Sequence, residues 1–306
     1  MNKQLNIFLA TDYSESVMNA EKYAFEFAKK ANANLTILHV YEIPFSFPFE
    51  STEYVKSADR LRKFEMQKLK LHCESILHSL KIKLNEVNWE CMTLEGAVGK
   101  EIRKEAERSL PDMIITGTHN NSNKISVFQS SHTWNIIKKS NVPILAIPKN
   151  ALLTDIKKIV FATEYRQGEI PGIESMIKLS AKFDAELTIL HITNNSFSKE
   201  FANQLFEKFK TEVQNKVSYK KLSLRLVFAD NIVSGINDFC FTSKSDWLVM
   251  SHSRPFFLEK VFLPEKSITK EMVIEPLIPL LSVPDFYETA LEEQSDSISE
   301  TIHYNK

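Results

Sequence analysis

Glycine is scarce in this chain. Six glycines in 306 residues, where average usage of about 7% would give roughly 21, leave little material for glycine-rich phosphate loops. Cysteine is scarcer still. Cys73, Cys91 and Cys240 are an odd number at wide spacing, with no CxxC pair and no arrangement that templates zinc. Buried free thiols in a reducing compartment are the plain reading. Neither sign of charge is in excess: 38 Lys and Arg stand against 39 Asp and Glu, a formal net charge of -1. A surface built to neutralise many phosphates is excluded, so no nucleic-acid partner is expected. No stretch approaches the roughly 20 apolar residues that span a bilayer, and the apolar run behind Met1–Asn6 stops at Asp12, too short for a signal core. No membrane partner is expected, and a cytoplasmic location is. The remainder, 43% hydrophobic and 25% charged, is ordinary globular composition, with length for two average domains.

The chain repeats itself. Ile7-Phe8-Leu9-Ala10-Thr11-Asp12-Tyr13-Ser14 is echoed by Ile159-Val160-Phe161-Ala162-Thr163-Glu164-Tyr165-Arg166, and Ala33-Asn34-Leu35-Thr36-Ile37-Leu38-His39-Val40 by Ala185-Glu186-Leu187-Thr188-Ile189-Leu190-His191-Ile192. Two separated blocks holding one offset indicate duplication. Asp112-Met113-Ile114-Ile115 pairs with Asp246-Trp247-Leu248-Val249, and Val142-Pro143-Ile144-Leu145 with Ile278-Pro279-Leu280-Leu281. The division is a first domain at 1–150, a second at 151–284 and a tail at 285–306. The tail carries Asp285, Glu288, Glu292, Glu293, Asp296 and Glu300 against Lys306 alone. Such composition predicts disorder, with acidic partner recruitment as the alternative.

Short β-branched runs at 5–10, 35–40, 87–94, 112–116 and 143–147 suit strands buried on both faces. Amphipathic segments lie between them at 16–32, 55–82, 97–109 and 130–140. In the first, Ala20, Tyr23, Ala24, Phe27, Ala28 and Ala31 form one apolar face at helical spacing. Strands near 157–162, 187–192, 222–228, 246–250 and 279–283 repeat the order. The predicted fold is α/β, two tandem doubly wound parallel five-stranded sheets. The fifth strands should lie at sheet edges.

Ligands of such sheets bind at the carboxyl ends of the strands, where strand order reverses. Asp12 stands there after the first strand. It has two readings: a carboxylate for a ribose hydroxyl, an adenine amino group or a cation, or an N-cap or turn residue. After the fourth strand come Gly117-Thr118-His119-Asn120 and then Ser130-Ser131-His132-Thr133 opening a helix. That is either an anion site on a helix N-terminus or a capped helix behind a loop.

At these residues the first copy resembles the universal stress protein family, whose domains carry an Asp after strand 1 and a Gly-x-x-Gly, nine-residue, Gly-Ser/Thr phosphate loop after strand 4. The likeness covers about 1–148 and, less strongly, 152–284. It implies an adenine-nucleotide alpha-hydrolase-like fold, with the two domains packed as a pseudo-two-fold pair through their edge strands and further homodimerisation left open. It implies Asp12 and Val40 on the adenosine half, and Gly117, His119, Asn120, Ser130, Ser131 and Thr133 in the phosphate loop, with ATP or a related nucleotide and Mg2+ as the ligand. Two of the loop's three glycines are replaced, by Asn120 and Ser130. Each adds a Cβ where backbone meets phosphate, although both also add hydrogen-bond donors. In the second copy Glu164, Ser251, Arg254, Pro264 and Glu265 stand at the corresponding places, a set unsuited to phosphate. Arg254, Lys260 and Lys266 are then either a site for another anion or a solvated edge.

No Ser-His-Asp or Cys-His set and no HExxH spacing is present. His72 and His78 are six apart on one helical segment, the wrong spacing for a shared metal, and His39 and His191 repeat by ancestry. The aromatic and proline-rich stretch from Tyr41 to Tyr54 suits a lid or a partner contact. Three functions follow: a nucleotide-responsive stress-adaptation module with its site in the first copy, an interaction scaffold whose loops have drifted, or a weak ATPase. No general base is visible for the last.

Overall fold

A computed structural model describes residues 4–15, 17–43, 52–118, 141–153, 155–166, 168–196, 198–252, 268, 272 and 276–284, without the side chains of 52–55. Two compact units result, Met1–Leu153 with Val273–Pro279, and Thr154–Met272 with Leu280–Lys306.

The first unit runs β1 (Asn6–Thr11), α1 (Met18–Ala31), β2 (Asn34–Tyr41), α2 (Thr52–Ser79), β3 (Asn88–Glu95), α3 (Val98–Ser109), β4 (Met113–Gly117) and β5 (Ile144–Ile147). Its strands stand in the order β3-β2-β1-β4-β5, each described pairing parallel. Strand order reverses between β1 and β4, so the carboxyl ends of these two strands flank the crevice where such folds place a ligand. The apolar residues read from the first helical segment are all buried, and α2 turns Leu69, Cys73, Ile76 and Leu77 inward.

The second unit repeats the plan with β6 (Lys158–Ala162), α4 (Glu169–Lys182), β7 (Glu186–Asn194), α5 (Lys199–Lys216), β8 (Leu222–Ala229), α6 (Ile232–Ser243), β9 (Trp247–His252) and β10 (Leu280–Pro284). Its order is β10-β9-β6-β7-β8, again parallel. Helix α2 has 28 residues and α5 has 18, which places part of the second copy's shortening in this element.

The repeated aspartate before the fourth strand is structural. The Asp112 carboxylate accepts the Asn6 amide at 2.8 Å, and Asp246 accepts those of Lys157 and Lys158 at 2.7 and 2.8 Å. Each thereby closes the amino end of its unit's first strand, satisfying donors that would otherwise lack partners.

One expectation is corrected. Strands β3 and β8 are not buried on both faces: no residue of either is fully buried, and Glu90 and Arg225 face solvent. Both stand last in their unit's strand order. The predicted helix at 130–140, the stretch 44–51 and the tail lie outside the described residues.

Gly235 in α6 meets the sheet closely. A Cβ there falls 2.8 Å from Ala229 Cβ and 2.9 Å from Ile192 Cγ2, both on short, stiff side chains. Alanine favours helix over glycine by about 1 kcal/mol, yet overpacking costs about 1–3 kcal/mol. Gly235→Ala is therefore expected to lower the urea midpoint, opposite to its helix propensity.

Candidate functional site

The sequence places Asp12, Val40 and Gly117 near one another only if the strands align, and they do. Thr11 pairs with His39 across β1 and β2, while Leu9 pairs with Ile115 across β1 and β4. Continuing that register sets Thr11 level with Gly117. Asp12 and Val40 then come one residue later on adjacent strands. Gly117, at the end of β4, is buried, and Asp12 and Val40 are half-buried. Asp12 partly fills its turn role, since its Oδ1 accepts the Ser14 amide at 2.9 Å. His119, Asn120, Ser130, Ser131 and Thr133 lie outside the described residues.

Beneath Asp12 the chain is held by a set of groups that sequence reasoning missed. Tyr13 has φ 61°, a left-handed backbone that is costly for a bulky residue. Four contacts compensate. The Tyr13 amide donates to Thr11 Oγ1 at 3.1 Å. The ring packs on the His39 imidazole with centroids 4.3 Å apart and edge-on to His72 at 5.0 Å. The Lys68 ammonium sits 4.3 Å from the Tyr13 centroid, within cation–π range. His39 Nδ1 in turn contacts the Thr11 carbonyl at 3.0 Å. The Thr11 hydroxyl donates to the buried Glu21 Oε1, which also meets His72 Nε2 at 2.8 Å. His39 Nε2 lies 3.6 Å from Glu65.

The second unit keeps the skeleton and changes the wall. Tyr165 has φ 64° and stacks on His191 at 3.9 Å. His191 Nδ1 contacts the Thr163 carbonyl at 2.7 Å, and the Thr163 hydroxyl donates to Glu169 at 2.5 Å. Behind Tyr165 stands Phe209 at 4.9 Å, where the first unit has histidine and lysine. Glu164, at the position of Asp12, pairs with Arg166 (Nε to Oε2 2.9 Å). Ser251 matches Gly117 in register, since Ile159 and Val160 pair with Trp247 and Leu248, and its hydroxyl donates to Glu169 Oε1 at 2.9 Å. The second crevice thus holds side chains already committed to one another.

The repeated Thr-x-Tyr, together with the repeated His, was the available sequence signal for this latch. Glu21 and Glu169 gave no comparable signal, because they stand ten and six residues past their threonines.

Among the described residues no group of three or more His, Cys, Asp or Glu could hold a metal ion, and no helix is long and apolar enough to cross a membrane.

A parallel sheet with polar groups gathered at its switch point defines a nucleotide-type α/β domain. Residues 5–148 match the universal stress protein family, a match that lies within the first unit. It is similar to two universal stress proteins of Methanocaldococcus jannaschii. One is 29% identical over 152 residues, covering 47% of this chain and 94% of that protein; the other is 26% identical over 150 residues, covering 48% and 84%. A crystal structure of a universal stress protein from Archaeoglobus fulgidus aligns over 92% of this chain and 96% of its own, with TM-score 0.63 at 14% identity. That likeness shows a shared fold.

Burial pushes His39 and His191 below the ordinary imidazole value of 6.5, with the threonine carbonyl contact opposing it. The unfolded chain therefore takes up protons first as pH falls, and these groups cost stability as pH drops through about 6.5. Glu169 has the opposite sign: burial raises its carboxyl above 4.5, so its share improves on acidification. Melting curves between about pH 7.5 and 5.5 are expected to fall less steeply for His191→Asn, whose amide keeps a donor for Thr163 but does not titrate. An unchanged slope would remove His191 from the balance.

Proposed function

We propose that the first unit binds an adenine nucleotide across the carboxyl ends of β1, β2 and β4, and that the chain acts as a nucleotide-responsive binding module in stress adaptation. One observation carries this reading: Asp12, Val40 and Gly117 come together at the switch point, with no side chain at 117. Asp12 and Val40 would hold the adenosine half. The carboxylate suits a ribose hydroxyl or the adenine amino group, since only its Oδ1 is used by the Ser14 amide. Gly117, His119, Asn120, Ser130, Ser131 and Thr133 would hold the phosphates of ATP or a related nucleotide, accompanied by Mg2+. In this reading residues 1–150 form the binding domain and 151–284 a degenerate copy. Glu164, paired with Arg166, and Ser251, bonded to Glu169, favour that assignment. The module is proposed as a binder, with hydrolysis left out of the mechanism.

Calorimetry on the full chain with ATP and magnesium tests it. Binding is expected at millimolar or tighter affinity. Asp12→Asn, which keeps the acceptor for Ser14 but loses the charge, is expected to weaken it about tenfold, or about 1.4 kcal/mol. Gly117→Val should abolish the heat, and Ser251→Val should leave it unchanged, with melting curves confirming that each variant folds. No heat at millimolar nucleotide for the unaltered chain would overturn the reading and leave an interaction scaffold.

A further inference from the structure

Behind the latch of the first unit lie two thiols that the nucleotide reading does not use. Cys73 sits on the inward face of α2 and is 1% exposed. Cys91 is at the middle of β3, in register with Ile37 of β2, and is half-buried. Their sulfur atoms are 3.8 Å apart, already in contact across the helix–strand interface. A disulfide needs about 2.05 Å, so the two sulfurs must close the remaining distance for the bond to form. The third thiol, Cys240, is buried in α6 of the other unit.

We propose that Cys73 and Cys91 are a redox-active pair that closes to a disulfide when hydrogen peroxide reaches Cys91. The roles follow from exposure and charge. Cys91 is the accessible member, and the contact with Cys73 and then the Lys70 cation lower its thiol, against the opposing effect of burial. Cys73 is shifted upward by the contact with Cys91 and by burial, so it keeps its proton until it resolves the intermediate. The Cys91 thiolate attacks one peroxide oxygen. The O–O bond breaks, a sulfenic acid forms on Cys91, and the other oxygen leaves as water after taking a proton. The Cys73 sulfur then attacks the Cys91 sulfur, forming S–S and breaking S–O. The hydroxyl leaves as a second water with the Cys73 proton. Two thiols lose two electrons, and one hydrogen peroxide is reduced.

The bridge would tie α2 to β3 one residue from His72, which meets Glu21 of the latch. It does not depend on nucleotide, so failure of the binding reading leaves it standing.

The test exposes the folded full chain to hydrogen peroxide, alkylates remaining thiols under denaturing conditions and maps the peptides. The expected product is a monomer lighter by two hydrogens, with residues 73 and 91 linked and Cys240 alkylated. Burial pushes the Cys240 thiol up to about 12, which makes it the internal control. Cys240→Ser should form the same link. Cys73→Ser should stop at a sulfenic acid on Cys91 that dimedone traps, and Cys91→Ser should keep both remaining thiols. Three alkylated cysteines after oxidation, a link involving Cys240, an intermolecular dimer through Cys91, or equal linkage in chain unfolded by urea would each overturn the proposal.

Discussion

In each unit a threonine carbonyl at the carboxyl end of the first strand contacts an imidazole from the neighbouring strand, His39 on Thr11 and His191 on Thr163. The same threonine's hydroxyl is bound by a buried glutamate of the first helix, and the chain then enters a left-handed turn at a tyrosine whose ring lies on that imidazole. A left-handed Tyr costs about 1–2 kcal/mol. The ring contact, the amide bonds and the glutamate hold it together. Because the turn is held, the residue between threonine and tyrosine stands at the switch point, where β1 and β4, or β6 and β9, diverge. Position 12 or 164 therefore stands at the carboxyl end of the first strand in both units, whatever side chain it carries.

The two units differ in what surrounds this shared frame. Around Tyr13 the long helix contributes Lys68, His72 and Glu65, while behind Tyr165 the shorter helix contributes Phe209. Glu164 is drawn into an ion pair with Arg166, and Ser251 fills the place of Gly117 with a hydroxyl bonded to Glu169. The same strand stop occurs in both units. Asp12 and Glu164 differ without disturbing the sheet, since they stand past the paired strand residues.

Much of the architecture was legible in the residues. Apolar runs of four to eight residues separated by helical spacing can satisfy their backbone in few ways other than a parallel sheet with crossovers. The internal offset pointed to a second copy. The edge character of β3 and β8 was not legible from their apolar pattern, because Leu94 and Leu226 read as buried until strand order leaves these strands with one neighbour. His39 and His191 were seen as repeated, yet their reason, a carbonyl on the next strand, exists only once register is set.

Sequence alone determined the parallel α/β class and the residue types at the strand ends, because local periodicity and composition carry that information. Tertiary structure alone decided that Asp12, Val40 and Gly117 meet, that Glu21 reaches back to Thr11 and forward to His72, and that Cys73 lies against Cys91. Those encounters join residues tens of positions apart, and they depend on strand order, register and helix rotation, which no single stretch of chain encodes.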